Sequence, residues 1–112
     1  MRRSALFDLY GELLTEKQRR CLSMSLLSDY SLSEIGEALG ISRQAAHDTL
    51  RRSDEAMEAY EARLGLLAKE DATREIFAKI YGEIAALASP DAKKKREILR
   101  KLAPFAGRED EI

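Results

Sequence analysis

Apolar residues recur every three or four positions along most of this 112-residue chain. This spacing is typical of amphipathic α-helices, whereas a half-buried strand alternates at every second residue. No segment shows that alternation, so the pattern predicts an all-α fold. We expect four helices in the N-terminal part and two in a C-terminal extension, over residues 4–14, 15–29, 32–39, 42–65, 71–88 and from 90 onward.

Two short polar motifs mark the starts of the second and third helices. "TEKQ" places Thr15 three residues before Gln18, and "SLSE" places Ser31 three residues before Glu34. In this capping-box spacing, each side chain accepts a hydrogen bond from the backbone N–H of the other residue. The two helices should therefore begin directly after Thr15 and Ser31.

The apolar faces of the helices predict the core. On the first two helices the expected inward residues are Leu6, Leu9, Tyr10, Leu13, Cys21, Leu22, Met24 and Leu27. On the last two helices they are Ile76, Phe77, Ile80, Ile84, Leu87, Ile98, Leu99 and Leu102. Between these last helices, Ser89 is the expected cap of the sixth helix, and Pro90 suits its first turn.

The third and fourth helices and their short connection match a helix-turn-helix motif. Gly40 lies where the turn needs a left-handed residue. Gly36 is the small residue at the point where two helices touch, and Ser42 caps the fourth helix. The apolar positions of the motif core are Ile35, Leu39, Ile41, Ala46 and Leu50.

The exposed face at the start of the fourth helix could read double-stranded DNA. Arginine and glutamine side chains bind the edges of guanine and adenine, and a histidine or second arginine could add a base or phosphate contact. The alternative is an ordinary solvated helix face. The candidate DNA-binding residues are Ser42, Arg43, Gln44, His47, Arg51 and Arg52.

The charge of the chain opposes DNA binding. Its formal net charge is −1, so any affinity for nucleic acid must come from a local basic patch. Asp48 lies on the candidate face itself. Further along the same helix, an acidic run has no basic residue within it and would repel a phosphate backbone lying along the helix. Its members are Asp54, Glu55, Glu58 and Glu61.

An apolar seam at heptad-like spacing continues along the fourth helix and just beyond it. Its members are Leu50, Met57, Tyr60, Leu64 and Leu67. Such a seam needs a partner, either another helix of the chain or a second subunit. Since three long apolar faces are hard to cover within one short chain, we expect a homodimer. We divide the chain into a helix-turn-helix domain at residues 1–67 and a helical extension for dimerisation at residues 68–112.

The segment "LLTEKQRRCLSMSLLSDYSLSEIGEALGISRQAAHDTLRR" resembles the YlxM family of small bacterial helix-turn-helix proteins. It is also similar, more distantly, to region 4 of bacterial sigma factors. The YlxM likeness includes "LYGELLT" before the second helix, "RQAAHD" at the start of the fourth, and the pair Tyr60 and Glu61. Beyond Leu67 the resemblance rests mostly on length and helical character.

The resemblance implies a sigma-region-4-like fold in a cytoplasmic protein without enzymatic activity, cofactor or catalytic residues. It also implies a link to the signal recognition particle pathway, either by regulation of its genes or by action on the particle itself. Position by position, it assigns the turn to Gly40 and the exposed recognition face to Arg43, Gln44 and His47.

Other kinds of chemistry have little support in the sequence. Cys21 is the only cysteine and His47 the only histidine, so we expect no catalytic pair, metal site or intrachain disulfide. No apolar run approaches the roughly 20 residues that a membrane span needs. "KKKRE" at residues 93–97, with Arg100 and Lys101 after it, could bind RNA or could be the solvated face of the sixth helix.

Two functions remain open at this point. The first is a transcriptional regulator that binds double-stranded DNA as a dimer. The second is an interaction module that binds the signal recognition particle GTPase or its RNA without binding DNA. The exposed Arg-Gln-His face favours the first, and the acidic run favours the second.

Overall fold

The structure, a computed structural model, describes residues 1–108 and contains no strand in that range. The prediction of an all-α helix-turn-helix protein is therefore confirmed. A 3-10 turn at Gly11–Leu13 follows the first helix. The helices are α1 (Arg2–Tyr10), α2 (Glu16–Leu26), α3 (Leu32–Leu39), α4 (Arg43–Leu64), α5 (Leu66–Ala86) and α6 (Ala92–Ala106).

Both predicted capping boxes form. The backbone N–H of Gln18 donates to the Thr15 hydroxyl, and the N–H of Thr15 donates to the Gln18 side chain, at 3.2 and 3.1 Å. Ser31 and Glu34 make the same reciprocal pair at 3.1 and 3.0 Å. Hydrogen bonds from the backbone N–H and the hydroxyl of Ser31 lower the pKa of Glu34. These local bonds fix where α2 and α3 begin.

The chain forms two compact units, with the boundary between Leu67 and Ala68. The first unit has two apolar clusters, and Leu50 packs against both of them. One cluster lies between α1, α2 and α4, and its buried members are Leu6, Tyr10, Leu14, Leu22, Met57 and Leu67. The other lies inside the helix-turn-helix, and its buried members are Cys21, Ile35 and Ala46.

Helix α1 of the same chain covers much of the apolar seam on α4. For that part of the seam, the partner is therefore another helix of the chain rather than a second subunit. Met57 is fully buried, and it packs in the same cluster as Leu6 and Tyr10 of α1. The ring of Tyr60 stacks on that of Tyr10, with 5.9 Å between the ring centroids. Leu64 remains 55% exposed. The part of the seam at Met57 and Tyr60 therefore needs no second subunit to cover it, whereas Leu64 is left uncovered.

A hydrogen-bond network ties the end of α4 to α1 and to the start of α5. The Tyr10 hydroxyl donates to Glu61 Oε1 at 2.7 Å and accepts from the backbone N–H of Leu66 at 3.2 Å. The same carboxylate oxygen accepts from the N–H of Leu67 at 2.9 Å. Two N–H groups of the first turn of α5 are thus satisfied by side chains, one from α1 and one from the last turn of α4.

The predicted inward face is wrong at two leucines. Leu13 is 54% exposed and Leu14 is buried in its place, because the α-helix gives way to a 3-10 turn after Tyr10 and the extended Leu14 enters the core. Leu27 is 74% exposed because α2 ends at Leu26 rather than near Asp29. Asp29 instead adopts a left-handed conformation with φ of 55°.

The second unit pairs α5 with α6 through a small core of Tyr81, Ala103 and Ala106, surrounded by Phe77, Ala78, Leu99 and Leu102. The predicted inward face of the fifth helix is wrong at Ile76, Ile80 and Leu87, which are exposed, while the omitted Tyr81 is buried. On α6, Ile98 is exposed as well. The small side chains of Ala103 and Ala106 on α6 leave room for the Tyr81 ring. Helix α5 therefore turns Tyr81 toward α6.

Two predicted helix starts in this part of the chain are wrong. Helix α5 begins at Leu66 rather than near residue 71. Asp91, not Ser89, caps α6 by accepting from the backbone N–H of Lys94 at 2.9 Å. The Ser89 hydroxyl accepts from the N–H of Asp91 at 3.2 Å, so it serves the connection before the helix.

Tyr10→Phe tests the network at the junction of α4 and α5. The change removes a donor to Glu61 and an acceptor for Leu66, so we expect a loss of about 2 kcal/mol in the free energy of unfolding by urea. Tyr60→Phe is the matched control, since its hydroxyl donates only to the backbone oxygen of Leu13 in an exposed contact. Equal effects of the two changes would contradict the proposed importance of the Tyr10 hydroxyl.

Candidate nucleic-acid interface on the helix-turn-helix

The turn between α3 and α4 consists of Gly40, Ile41 and Ser42. Gly40 ends α3 in a left-handed conformation with φ of 69°, as the sequence predicted. The backbone N–H groups of Gly40 and Ile41 both donate to the carbonyl oxygen of Gly36. The Ser42 hydroxyl then accepts from the N–H of Ala45 at 3.0 Å and caps α4. Hydrogen bonds thus hold both ends of a three-residue connection.

Gly36 lies where α3 meets this turn. A Cβ atom on Gly36 would come within 2.6 Å of the carbonyl oxygen of Ile41, a distance that real Cβ contacts essentially never show. The obstacle is backbone rather than a flexible side chain. The close approach of α3 to the turn therefore requires a residue without a Cβ atom.

The interior of the motif is packed beneath the turn. Ile35 and Ala46 are fully buried with Cys21, and Leu39, Ile41 and Leu50 are partly buried against them. The buried Ser53, one turn after Leu50, donates its hydroxyl to the carbonyl oxygen of Thr49 at 2.6 Å. The positions assigned to the motif core thus face inward together and leave the other face of α4 open.

All six candidate DNA-binding residues have exposed side chains. They are Ser42, Arg43, Gln44, His47, Arg51 and Arg52. Their spacing on α4 places residues 43, 44, 47 and 51 along one stripe, with Arg52 farther round the helix. We call this stripe the recognition face. It begins at the first turn of α4, where the cap and the turn hold the backbone.

Carboxylates engage part of the recognition face. Gln44 Nε2 donates to Asp48 Oδ1 at 3.2 Å, and His47 Nδ1 lies 3.7 Å from the same oxygen. Arg51 pairs with Glu55 at 2.8 Å, one turn further along. All these side chains are largely exposed, so each contact is weak and could be exchanged for a contact to a ligand.

Three arginines carry unmatched positive charge on α4. Among residues 1–108, Arg43, Arg52 and Arg63 have no carboxylate within ion-pair distance. Arg43 lies at the first position of α4, on the recognition face. It is therefore the member of this face that is most available to an anionic ligand.

The acidic run on α4 is matched by arginines that are distant in sequence. Arg2 of α1 donates two hydrogen bonds to the carboxylate of Glu58, at 2.8 and 2.7 Å. Arg3 donates to Asp54 at 2.6 Å. The hydrogen bond from Arg2 lowers the pKa of Glu58. The expectation that this run stands unbalanced is therefore wrong for these two carboxylates, because α1 packs beside it.

A second basic surface lies on α2, and the sequence analysis did not single it out. Lys17, Arg19 and Arg20 are exposed, and no carboxylate lies within ion-pair distance of them in the part of the chain that the structure describes. Arg19 and Arg20 also line an open groove of about 430 Å³ beside Phe7. The signal was present in the sequence as the cluster "EKQRR".

Cys21 lies inside the first unit, out of reach of solvent. Cys21 is fully buried with its thiol 3.9 Å from the carbonyl oxygen of Ala46, and burial raises its pKa more than Lys17 lowers it. A neutral, inaccessible thiol is a poor nucleophile. Within residues 1–108 no group of three or more metal-ligating side chains occurs, and no helix is both long and apolar enough to span a membrane.

The family model and the relatives that resemble this chain agree with one another. The sequence profile of the family described as "UPF0122: Putative helix-turn-helix protein, YlxM / p13 like" matches residues 1–100. A UPF0122 protein of Geobacillus kaustophilus is 42% identical over 93 residues, which cover 83% of this chain and 84% of the relative. One from Halalkalibacterium halodurans is 45% identical over 80 residues, covering 71% and 73%. One from Caldanaerobacter subterraneus is 53% identical over 64 residues, covering 57% and 55%.

A series of glycine substitutions tests the geometry of the turn. Gly36→Ala should cost about 1–3 kcal/mol of unfolding free energy, because its methyl group meets the backbone of the turn. Gly40→Ala should cost about 1–2 kcal/mol through its left-handed conformation alone, since nothing lies within 4 Å of a Cβ atom there. Gly82→Ala, in open space within α5, is the control and should be neutral or stabilising. A neutral Gly36→Ala would contradict the close packing of α3 on the turn.

The pair of Arg2 and Glu58 should make stability depend on pH. The folded pKa of Glu58 lies below its ordinary value of 4.5, so the pair stabilises the fold above that value and ceases to do so as pH falls through the folded pKa. Thermal melting of Glu58→Gln should therefore match the wild type in acid and fall below it at neutral pH. Arg2→Met should behave alike, and adding it to Glu58→Gln should cause little further loss. Fully additive losses would contradict the pairing.

Proposed function

The chain belongs to the UPF0122 family of YlxM/p13-like helix-turn-helix proteins, and on that premise we propose that it is a regulator that binds double-stranded DNA through α4. In this proposal the N-terminal part of α4 enters the major groove, as recognition helices do. Arg43 and Gln44 meet base edges, while His47 and Arg51 contact bases or phosphates. Ser42 positions the helix start, and Arg52 reaches the backbone at the side of the groove.

The observation that carries the proposal is the unpaired Arg43 at the first position of α4, beside the exposed Gln44 and His47. A side chain at this position meets the groove first, and the packed turn holds its backbone. Packing of the motif core does not require an arginine at position 43 or a glutamine at position 44. A function outside the core is the simplest account of both residues.

The charge distribution supports the same proposal. Arg2 and Arg3 match Glu58 and Asp54, so the middle of α4 opposes a phosphate backbone less than its sequence suggests. The basic residues of α2 could add phosphate contacts beside the groove, because phosphate contacts supply much of the affinity of any DNA-binding protein. Arg19 and Arg20 are the residues proposed for this part.

The biological setting proposed for this activity follows from the YlxM resemblance. The protein would act in the cytoplasm and regulate genes of the signal recognition particle pathway. Its DNA target would then lie upstream of its own operon. A protein with a single small motif usually needs two copies for specific affinity, so two half-sites are expected.

A second candidate function rests on a separate observation on α6. The side chains of Lys93, Lys94, Arg96 and Arg100 are all exposed, whereas Lys95 donates to the backbone oxygen of Leu87. Four exposed cations within two turns could bind a phosphate backbone. In this alternative, the protein binds the RNA or GTPase of the signal recognition particle through α6 and does not bind DNA.

Alanine substitution on the recognition face distinguishes the two candidates. Arg43→Ala and Gln44→Ala should each weaken specific binding to the upstream DNA by about 1–3 kcal/mol, measured by fluorescence anisotropy. Affinity of the wild type should fall steeply with salt. Arg63→Ala is the control, since Arg63 is exposed on the same helix at its other end.

The outcome that contradicts DNA reading is equally specific. If wild-type protein binds DNA without sequence preference and Arg43→Ala leaves that binding unchanged, α4 does not read bases. If Lys93→Ala with Lys94→Ala then abolishes binding to the particle RNA, the second candidate replaces the first.

A further inference from the structure

The open groove beside α2 combines positive charge with apolar surface. It has a volume of about 430 Å³, and within the part of the chain that the structure describes its lining contains no carboxylate. Met24 also packs against the core of the helix-turn-helix, and Phe7 packs against the cluster between α1, α2 and α4. The folded first unit therefore holds the apolar side of the groove in place. The lining residues are Phe7, Arg19, Arg20, Ser23 and Met24.

The ring of Phe7 forms one wall of this groove, because Gly11 leaves room for it. A Cβ atom on Gly11 would come within 3.1 Å of two carbon atoms of the ring. The ring therefore lies along α1 toward the 3-10 turn. It is only partly buried in this position, so it presents apolar surface to a ligand.

Both arginines of the groove keep their positive charge available. Glu16 lies one turn before Arg20, at a spacing that allows an ion pair on a helix. The two side chains nevertheless do not pair, and among residues 1–108 neither Arg19 nor Arg20 has a carboxylate within ion-pair distance. An anionic ligand in the groove would therefore bind these arginines without displacing an ion pair of the described residues.

Charge and apolar surface follow one another along α2. Arg20, Met24 and Leu27 succeed one another at spacings of four and three residues, so they lie on one side of the helix. Leu27 is 74% exposed and comes directly after the last residue of α2. From Arg20 to Leu27 the helix rises by roughly 10 Å. A ligand that uses both ends of this surface must therefore carry its negative charge and its apolar groups about that far apart.

We propose that this groove binds an acidic amphipathic segment of a partner protein. Carboxylates of the segment pair with Arg19 and Arg20, while its apolar side chains lie between Phe7 and Met24 and reach Leu27. A helical segment presents such groups on one face at the required spacing, as helices bound in grooves do. The lining supports this class of ligand, since arginine, methionine and aromatic residues are enriched in protein–protein interfaces.

A nucleic acid fits the groove less well than such a segment. Phosphates would bind the arginines but leave the apolar surface of Met24 and Leu27 without a contact. Sites for single strands stack successive bases on aromatic side chains, whereas Phe7 is the one aromatic residue that lines this groove in the described part of the chain. Only a ligand with both carboxylates and apolar groups uses the whole surface.

The inference does not rest on DNA reading by α4, because it uses residues of α1 and α2 and is tested without DNA. Where α4 does bind DNA, the segment and the phosphates compete for Arg19 and Arg20. A partner in this groove would then weaken DNA binding without touching the recognition face.

Selection from a phage-displayed peptide library tests the class of ligand without assuming a particular partner. The bait is the immobilised full-length chain. We expect the enriched peptides to combine aspartate or glutamate with leucine, isoleucine or phenylalanine at spacings of three and four residues. Amide chemical shifts of the isotope-labelled chain should then change around Phe7, Arg20, Met24 and Leu27 when an enriched peptide is added.

Charge reversal on the chain tests the cationic end of the groove. Arg20→Glu should raise the dissociation constant of the enriched peptide about tenfold in fluorescence anisotropy, because an attractive contact becomes repulsive. Arg63→Glu is the matched control, since it makes the same change in net charge at an exposed arginine of α4. It should leave the constant unchanged. Circular dichroism should show the same helix content in both variants.

Changes in the peptide test the apolar end without disturbing the fold of the chain. Serine in place of the apolar residues of the peptide should remove detectable binding, although its acidic residues remain. A substituted peptide that binds as tightly as its parent would show that the groove recognises charge alone, and the proposal would then be wrong.

Three further results would overturn the proposal. Enriched peptides without acidic residues would exclude the proposed class of ligand. Shift changes confined to other parts of the chain, or equal effects of Arg20→Glu and Arg63→Glu, would place the binding site elsewhere. A single-stranded oligonucleotide that displaces the peptide, binds more tightly than it and loses affinity with Phe7→Leu would assign the groove to nucleic acid.

Discussion

The fold of the first unit depends on the contact between Tyr10 and Glu61. Burial removes the Tyr10 hydroxyl from water, and the carboxylate of Glu61 accepts the hydrogen bond that water would otherwise accept. The same two groups satisfy the backbone N–H groups of Leu66 and Leu67. One polar network thus fixes α1 on the end of α4 and allows a new helix to begin after a single glycine. Without it, α1 would be held on the seam at Met57 only by apolar packing and by the ion pairs of Arg2 and Arg3.

The long α4 helix serves two purposes along its length. Its first turns rest on the turn and on the small core of Ile35 and Ala46, and they present arginine, glutamine and histidine outward. Its later turns bind α1 through Met57 and through the carboxylates of Asp54 and Glu58. Because one rigid helix carries both parts, the position of α1 is linked to that of the recognition face. The acidic residues that count against DNA binding in the sequence are thus part of the scaffold.

Features encoded within a few residues were predictable from the sequence. The capping boxes, the left-handed Gly40 and the bounds of α3 and α4 depend on neighbours in the chain, and they form as expected. The start of α5 was missed because the side chains of Tyr10 and Glu61 satisfy its first N–H groups, and Tyr10 reaches Leu66 only once α1 has packed on α4. Leu14 is buried where Leu13 was expected, because a 3-10 turn has fewer residues per turn than an α-helix and so changes which side chain points inward. The cap of α6 was misassigned because Ser89 and Asp91 are both good caps, and only the folded chain chooses between them.

The candidate site was likewise predictable only where it depends on residues close together in the chain. Helical period was enough to place the recognition face outside and the motif core inside. The electrostatics were not predictable, because a net charge of −1 counts every ionised group equally, whether or not it has a partner. An approaching polyanion meets only the charges that remain unpaired. On the first unit these include Arg43 on α4 together with Arg19 and Arg20 on α2, while several carboxylates are already held by arginines. A slightly acidic chain can therefore present a basic surface, since folding decides which charges remain available.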